Sequence, residues 1–211
     1  MNEYLISQQQ TNELLIKKQL HADEIKRFSI SDERWAKHVT NCNQSSKKTI
    51  KKGEIYQFEF GKNYCPEMSY EHRGLIIGVK NQMLYVLPIF SYDAGKHKKD
   101  CYDPVSNPTG IYYLLEKSSF NFLSHDSVLK LSDIRSVSKK RILYQQTDSS
   151  TTPHQFAKID PSSDTYKTIT KLVFQKYFYE YYNELEESKK QIELLKQEIN
   201  KLKNQNQEPK E

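Results

Sequence analysis

Apolar positions recur along this chain with two different periods, and the changes of period mark its organisation. Leu14, Leu15, Ile25 and Phe28, together with Lys18 and His21, fall at helical spacing, and no Gly or Pro occurs before Gly53. The opening segment is therefore predicted helical. Ser31-Asp32-Glu33-Arg34 reads as the start of a second helix, with Ser31 as N-cap and acids in the first turn. Trp35 and Val39, four residues apart, would be its buried face. The polar stretch Asn41 to Lys48 reads as a linker.

At Ile50 the period switches to two. Ile55 to Phe60 alternates and is rich in aromatic and β-branched residues, as a strand requires. Gly61 to Arg73 is a long connection, Leu75 to Val79 a buried strand, and Lys80-Asn81-Gln82 a hairpin turn into a strand from Met83 to Ile89. Ser91 to Gly110 is a polar loop. Ile111 to Leu115, Ser127 to Leu131 and Ile134 to Ile142 complete the strand set. Short strands joined by turns and one long loop predict a small, strongly bent sheet or barrel.

The helical period then returns. Pro161 to Asp164 is a helix entrance, and Ile169, Leu172, Val173, Lys176 and Tyr177 keep step after it. Leu185, Ile192 and Ile199 recur every seven residues, with Ser188, Leu195 and Leu202 as a second seam. That is a heptad pattern of about two and a half repeats, able to pair with itself, with the N-terminal helix or with a partner. The predicted organisation is a helical extension over 1–49, a β domain over 50–145, a helical region over 146–203 and a disordered tail over 204–211.

Composition narrows the function. No run of 18 apolar residues occurs and the mean hydropathy is -0.84, so no membrane partner is expected. Cys42, Cys65 and Cys101 are scattered, and no basic, apolar leader opens the chain. Reduced thiols in a cytoplasmic protein are the expectation. The net charge is +5, and residues 51–145 alone carry 14 basic and 10 acidic groups. A basic excess on the compact segment fits a nucleic-acid partner without demanding one. The six histidines show no H-x-x-x-H spacing, no Cys-x-x-Cys pair exists, and no metal or cofactor is expected.

Three stretches of the middle segment resemble the PemK/MazF family of toxin endoribonucleases. Lys52-Gly53-Glu54-Ile55-Tyr56 is similar to that family's opening strand "KRGDIY". Glu67 and His72-Arg73-Gly74-Leu75-Ile76-Ile77 resemble its "G-x-E-Q … R-P-x-L-V-I" loop and strand. Asp126 to Ile142 is similar to "DSV-x-L-x-Q-I-R-T-I-D-K-x-R-L" over 17 positions. The likeness covers about residues 50–145. Gly74 stands where the family has proline, and Phe90 replaces the threonine of "P-I-T", with Ser91 one place later.

The resemblance implies an α+β protein built on a small SH3-like antiparallel β-barrel, with helices added at both ends. It implies an mRNA interferase that cleaves single-stranded RNA without metal, as part of a toxin–antitoxin or defence system. The partners it implies are an antitoxin protein, operator DNA bound together with that antitoxin, and a second copy in a homodimer. Such cleavage uses the substrate's own 2′-hydroxyl, so the protein must take that proton, neutralise charge on the phosphorane and help the 5′-oxygen leave. The resemblance gives Arg73 the phosphate-stabilising role, which a planar fork of donors suits, and the role of acid to the leaving oxygen. Ser91 would add a hydroxyl to the same phosphate. Glu67 matches the family's glutamate as general base, and Glu71 and His72 are further choices in the same loop. Single-stranded bases stack on aromatic faces while the backbone follows basic groups. The candidates for that are Tyr64, Tyr70, His72, Tyr92, Lys96, Lys98 and Lys99. Two other readings stay open: a nucleic-acid-binding module with weakened catalysis, and an interaction adaptor working through its C-terminal coiled coil.

Overall fold

The computed structural model describes residues 2–18, 21–40, 49–64, 67–148 and 155–205. Two helices lead, α1 (Asn2–Lys17) and α2 (Ala22–Thr40). Strands β1 (Ile55–Glu59), β2 (Glu71–Lys80) and β3 (Met83–Ser91) follow, then a single helical turn, α3 (Ala94–His97). Four more strands are β4 (Tyr112–Leu115), β5 (Ser127–Lys130), β6 (Arg135–Ser138) and β7 (Ile142–Gln145). The small pair β8 (Thr147–Asp148) and β9 (Gln155–Phe156) precedes the helices α4 (Asp164–Tyr177) and α5 (Tyr179–Gln205).

β1 to β7 make one antiparallel sheet in the order β4-β5-β3-β2-β1-β7. The long β3 is shared, pairing with β6 from Met83 to Val86 and with β5 from Ile89 to Ser91. A register shift between Ile76 and Gly78 bends the β2–β3 hairpin, and Asn81, at φ 55°, turns its corner. The hydrogen-bonded order ends at β4 and β7, so no closed barrel is found among the described residues. The fold is α+β, an antiparallel sheet with helices before and after it.

Both sheet faces are buried, which is why the strands read as apolar runs as well as alternations. Ile55, Leu75, Leu87, Ile89 and Leu129 build one core, which α4 closes with Tyr166, Ile169, Leu172 and Val173. Ser163 caps α4 by accepting from the Tyr166 N–H at 3.2 Å. Tyr56, Phe58, Ile76, Leu84, Val86 and Val137 build the second core on the opposite face, under Ile50, Phe60 and Met68. Each fully buried Ile, Leu or Phe contributes about 1.5–3 kcal/mol. Helix α4 therefore completes the core of the β domain, although the sequence segmentation places it outside.

Several local expectations are corrected. Ser31 does not start a helix, because α2 runs through it. Its hydroxyl is buried and donates to Glu59 at 3.2 Å, so a tertiary acceptor replaces the capping role. Trp35 and Val39 are not the buried face: they are 65% and 51% exposed, and the helix docks through Ser31 and Arg34 instead. The strand expected from Ile134 to Ile142 is split by a 3-10 turn at Lys139–Arg141, where the chain leaves β3 to join β1 as β7. Arg73 is the third residue of β2 rather than the end of a loop. The expected linker 41–48, Cys42, Cys65 and residues 206–211 of the tail lie outside the described residues.

Candidate functional site

Directly opposed residues of an antiparallel pair share a face. Arg73 lies opposite Ile89, Ile89 opposite Leu129, and Ser91 opposite Ser127. Arg73, Ser91 and Ser127 thus emerge together at the end of the first core's face. The Arg73 Nη2 donates to Ser127 Oγ at 3.3 Å. Ser127 is fully buried and its hydroxyl donates to the His125 carbonyl at 3.2 Å. The His125 ring closes the patch: Nε2 lies 2.8 Å from Ser91 Oγ, and Nδ1 lies 2.8 Å from Ser124 Oγ. Ser91 and His125 are exposed, so a chain substrate can reach them.

The electrostatics of Arg73 are unusual for a half-buried guanidinium. Among the described residues it forms no ion pair, and burial alone pulls its pKa below the ordinary value. It stays charged at neutral pH, because arginine starts far above it. Partly desolvated, with one hydroxyl partner, it has donors left for an anion. Gly74 beside it is demanded by packing rather than by chemistry: a Cβ there would come within 2.3 Å of Val86 and 3.1 Å of the Phe58 ring.

The other sequence-derived candidates divide. Of Arg73, Glu67 and Ser91, the structure brings Arg73 and Ser91 to one patch. The Glu67 carboxylate faces Arg135 at 3.4 Å and has no bond to Arg73. Glu71 is held at 3.0 Å by Arg34. His72 lies one residue along β2 and so on the opposite face, with its ring 6.1 Å from that of Phe90. Burial, then the Arg27 charge, lower its pKa, so the ring is neutral near pH 7.

Among the base-stacking candidates, Tyr64 is 89% exposed in the β1–β2 connection. Tyr70, at φ 63°, closes that connection by donating from its N–H to the Gly61 carbonyl at 2.7 Å. Tyr92 joins a second aromatic set, with His97 6.1 Å from it and Tyr112 4.8 Å from His97. Asp93 caps α3 by accepting from the Gly95 N–H, and α3 with the turn after it presents Lys96, Lys98 and Lys99 to solvent. The Tyr92 N–H donates to the Asp126 carbonyl at 2.9 Å, tying this basic aromatic set to the His125 strand entry.

Sequence reasoning missed His125 and Ser127. The run Ser124-His125-Asp126-Ser127 was a usable signal, since it puts polar chemistry at the mouth of a buried strand beside the end of β3. A cleft of about 600 Å³ lies elsewhere, between α2 and the sheet, lined by Trp35, His38, Val39, Lys62, Lys140 and Arg141 among others. None of the sequence-derived site residues lines it. Among the described residues no three His, Cys, Asp or Glu side chains converge as a metal site needs, and no helix is long and apolar enough to cross a membrane. No protein-family model matches the chain, and no curated protein matches it.

Proposed function

We propose that the chain is an endoribonuclease that cleaves single-stranded RNA at the Arg73–Ser127–Ser91–His125 patch, and that its open sheet is a variant of the SH3-like PemK/MazF architecture. The observation that carries the reading is Arg73: a half-buried guanidinium that meets no carboxylate among the described residues and donates to Ser127 at 3.3 Å, on the patch where Ser91 and His125 lie 2.8 Å apart. A scissile phosphate set on Arg73 would have its developing phosphorane charge met by preorganised donors. His125 Nε2, directly or through Ser91 Oγ, takes the proton of the ribose 2′-hydroxyl as that oxygen attacks phosphorus. The P–O5′ bond breaks, the 5′-oxygen takes a proton from solvent, and a 2′,3′-cyclic phosphate is left. Glu67, whose carboxylate faces Arg135 at 3.4 Å rather than Arg73, takes no part in this patch. The strands flanking the break would lie over Tyr92, His97 and the Lys96–Lys99 turn. We place the protein in a toxin–antitoxin or defence setting in the cytoplasm, with RNA and an antitoxin as partners.

The test is incubation of the purified protein with a long single-stranded RNA in EDTA, followed by mapping of the ends. Cyclic phosphate ends, lost in Arg73→Ala and in His125→Ala, are expected. Cleavage abolished by EDTA and restored by Mg²⁺ would overturn the mechanism. RNA bound but never cut would leave the binding-module reading, which the same arginine and lysines also serve.

A further inference from the structure

Helix α5 leaves an apolar seam, interrupted once at Ser188, in water. Leu185, Ile192, Leu195, Ile199 and Leu202 are each between 46% and 57% exposed, and neither α1 nor α2 covers them. Written as heptads, Leu185, Ile192 and Ile199 occupy a positions, and Ser188, Leu195 and Leu202 occupy d positions. Knobs of this kind need a facing helix.

The flanking charges say which helix. The three e positions are Lys189, Lys196 and Lys203, and the g positions before them are Glu184, Gln191 and Glu198. In a parallel, in-register pair each g residue meets the e residue five places on in the other chain. That sets Glu184 against Lys189, Gln191 against Lys196, and Glu198 against Lys203, on both flanks. Antiparallel pairing would instead set lysine against lysine along one flank and glutamate against glutamate along the other. Ile at two of three a positions with Leu at d also favours two strands over three or four. Within one chain Lys189 bonds Glu186 at 2.8 Å, an exposed one-turn contact that is weak enough to exchange.

We propose that α5 docks on α5 of a second copy of this chain as a parallel, in-register, two-stranded coiled coil. Because α5 follows α4 directly, and α4 is embedded in the first core, parallel pairing sets the two sheets at the same end of the coil. Each assembly then carries two Arg73 patches at the same end of the coil. The inference rests on α5 alone and holds whether or not the patch cleaves RNA.

Full-length protein is examined at tens of micromolar by light scattering, and Ser188→Cys and Leu202→Cys are examined separately under mild oxidation. A mass twice that of the chain is expected. Each cysteine variant alone should form a covalent dimer above the background given by the native cysteines, since in-register pairing sets a d residue beside its own copy. Ile192→Asp/Ile199→Asp should lose that dimer while the sheet melts unchanged. A monomeric or trimeric mass overturns the proposal. So does a dimer in which neither variant crosslinks with itself but Ser188→Cys crosslinks with Ile199→Cys, which is the antiparallel signature because antiparallel layers pair a with d. A dimer that persists in the double aspartate variant without self-crosslinking at Ser188→Cys moves the contact to the sheet and overturns it as well.

Discussion

Two arginines reach the same end of the sheet and are treated in opposite ways. Arg34, from α2, sits between Glu59 at 2.9 Å and Glu71 at 3.0 Å. Glu59 is further satisfied by the Ser31 hydroxyl and the Gly61 N–H. Arg73, two residues beyond Glu71 on β2, meets one hydroxyl and no carboxylate among the described residues. Neither is fully exposed, and Arg73 is the more deeply buried of the two. What also differs is whether the charge is already answered. An answered guanidinium fixes a helix to a sheet; an unanswered one keeps its donors for something that arrives later.

The largest expected effect tests that difference at Arg73. Arg73→Ala should lower cleavage by roughly 10²–10³-fold, falling on kcat, because the lost donors meet charge that develops only in the transition state. Its melting temperature should hardly move, since Ser127 keeps its bond to the His125 carbonyl. Loss of activity together with gross unfolding would make Arg73 a second structural clamp.

Arg34→Ala should do the reverse. It leaves Glu59, whose side chain is 11% exposed, without its cation. Removing one partner of such a pair costs about 1–3 kcal/mol after allowance for partial exposure and the remaining Ser31 and Gly61 bonds. Denaturant unfolding should show it, while cleavage by the folded fraction stays near wild type. Arg34→Ala combined with Glu59→Gln should recover part of the loss, as the charge then has no need of an answer.

A smaller effect belongs to the lysines beyond the patch. Lys98→Ala should weaken RNA binding by a few-fold and lower its salt dependence by about one counterion, with kcat unchanged. A loss in kcat matching that of Arg73→Ala would mean that Lys98 touches the scissile phosphate.

The contrast between the arginines also shows what the sequence made legible. Alternation located β1, and apolar runs located β2 and β3, to within a few residues, because these strands bury side chains on both faces of the sheet. The same pattern also placed Ser91 at the end of β3, but it set Arg73 before β2, whose third residue it is. Pattern could not say that Ser31 would bond to Glu59, 28 residues away, or that Trp35 would stay in water. Those outcomes depend on where α2 lands, which no local period encodes. The same limit hid His125: its place beside Ser91 follows from the β3–β5 register that sets Ser127 opposite Ser91. Nor could pattern say which cation Glu67 would meet: its carboxylate faces Arg135 at 3.4 Å, 68 residues along the chain.

The smallest effect uses His72 as a reporter placed between the two regions. Its pKa is lowered from 6.5 chiefly by burial; Arg27 and Arg73 add to the lowering, while Glu71 and Glu59 oppose it. The sign follows from proton binding: below pH 6.5 the unfolded chain protonates this ring while the folded chain does not. His72 therefore takes nothing from stability above pH 6.5, and stability falls as pH drops from there to the folded value. In Arg73→Ala a lowering charge is gone, so the His72 midpoint should rise toward 6.5 and the acid loss should shrink. In Arg34→Ala the two glutamates are no longer neutralised, and their pull should raise the midpoint too. An NMR titration of the His72 ring in the three proteins measures both shifts. If neither substitution moves the midpoint, His72 is governed by desolvation alone. The charge of Arg73 would then be screened at the sheet surface, and its value to a transition state at the same surface would have to be smaller than the hundredfold expected above.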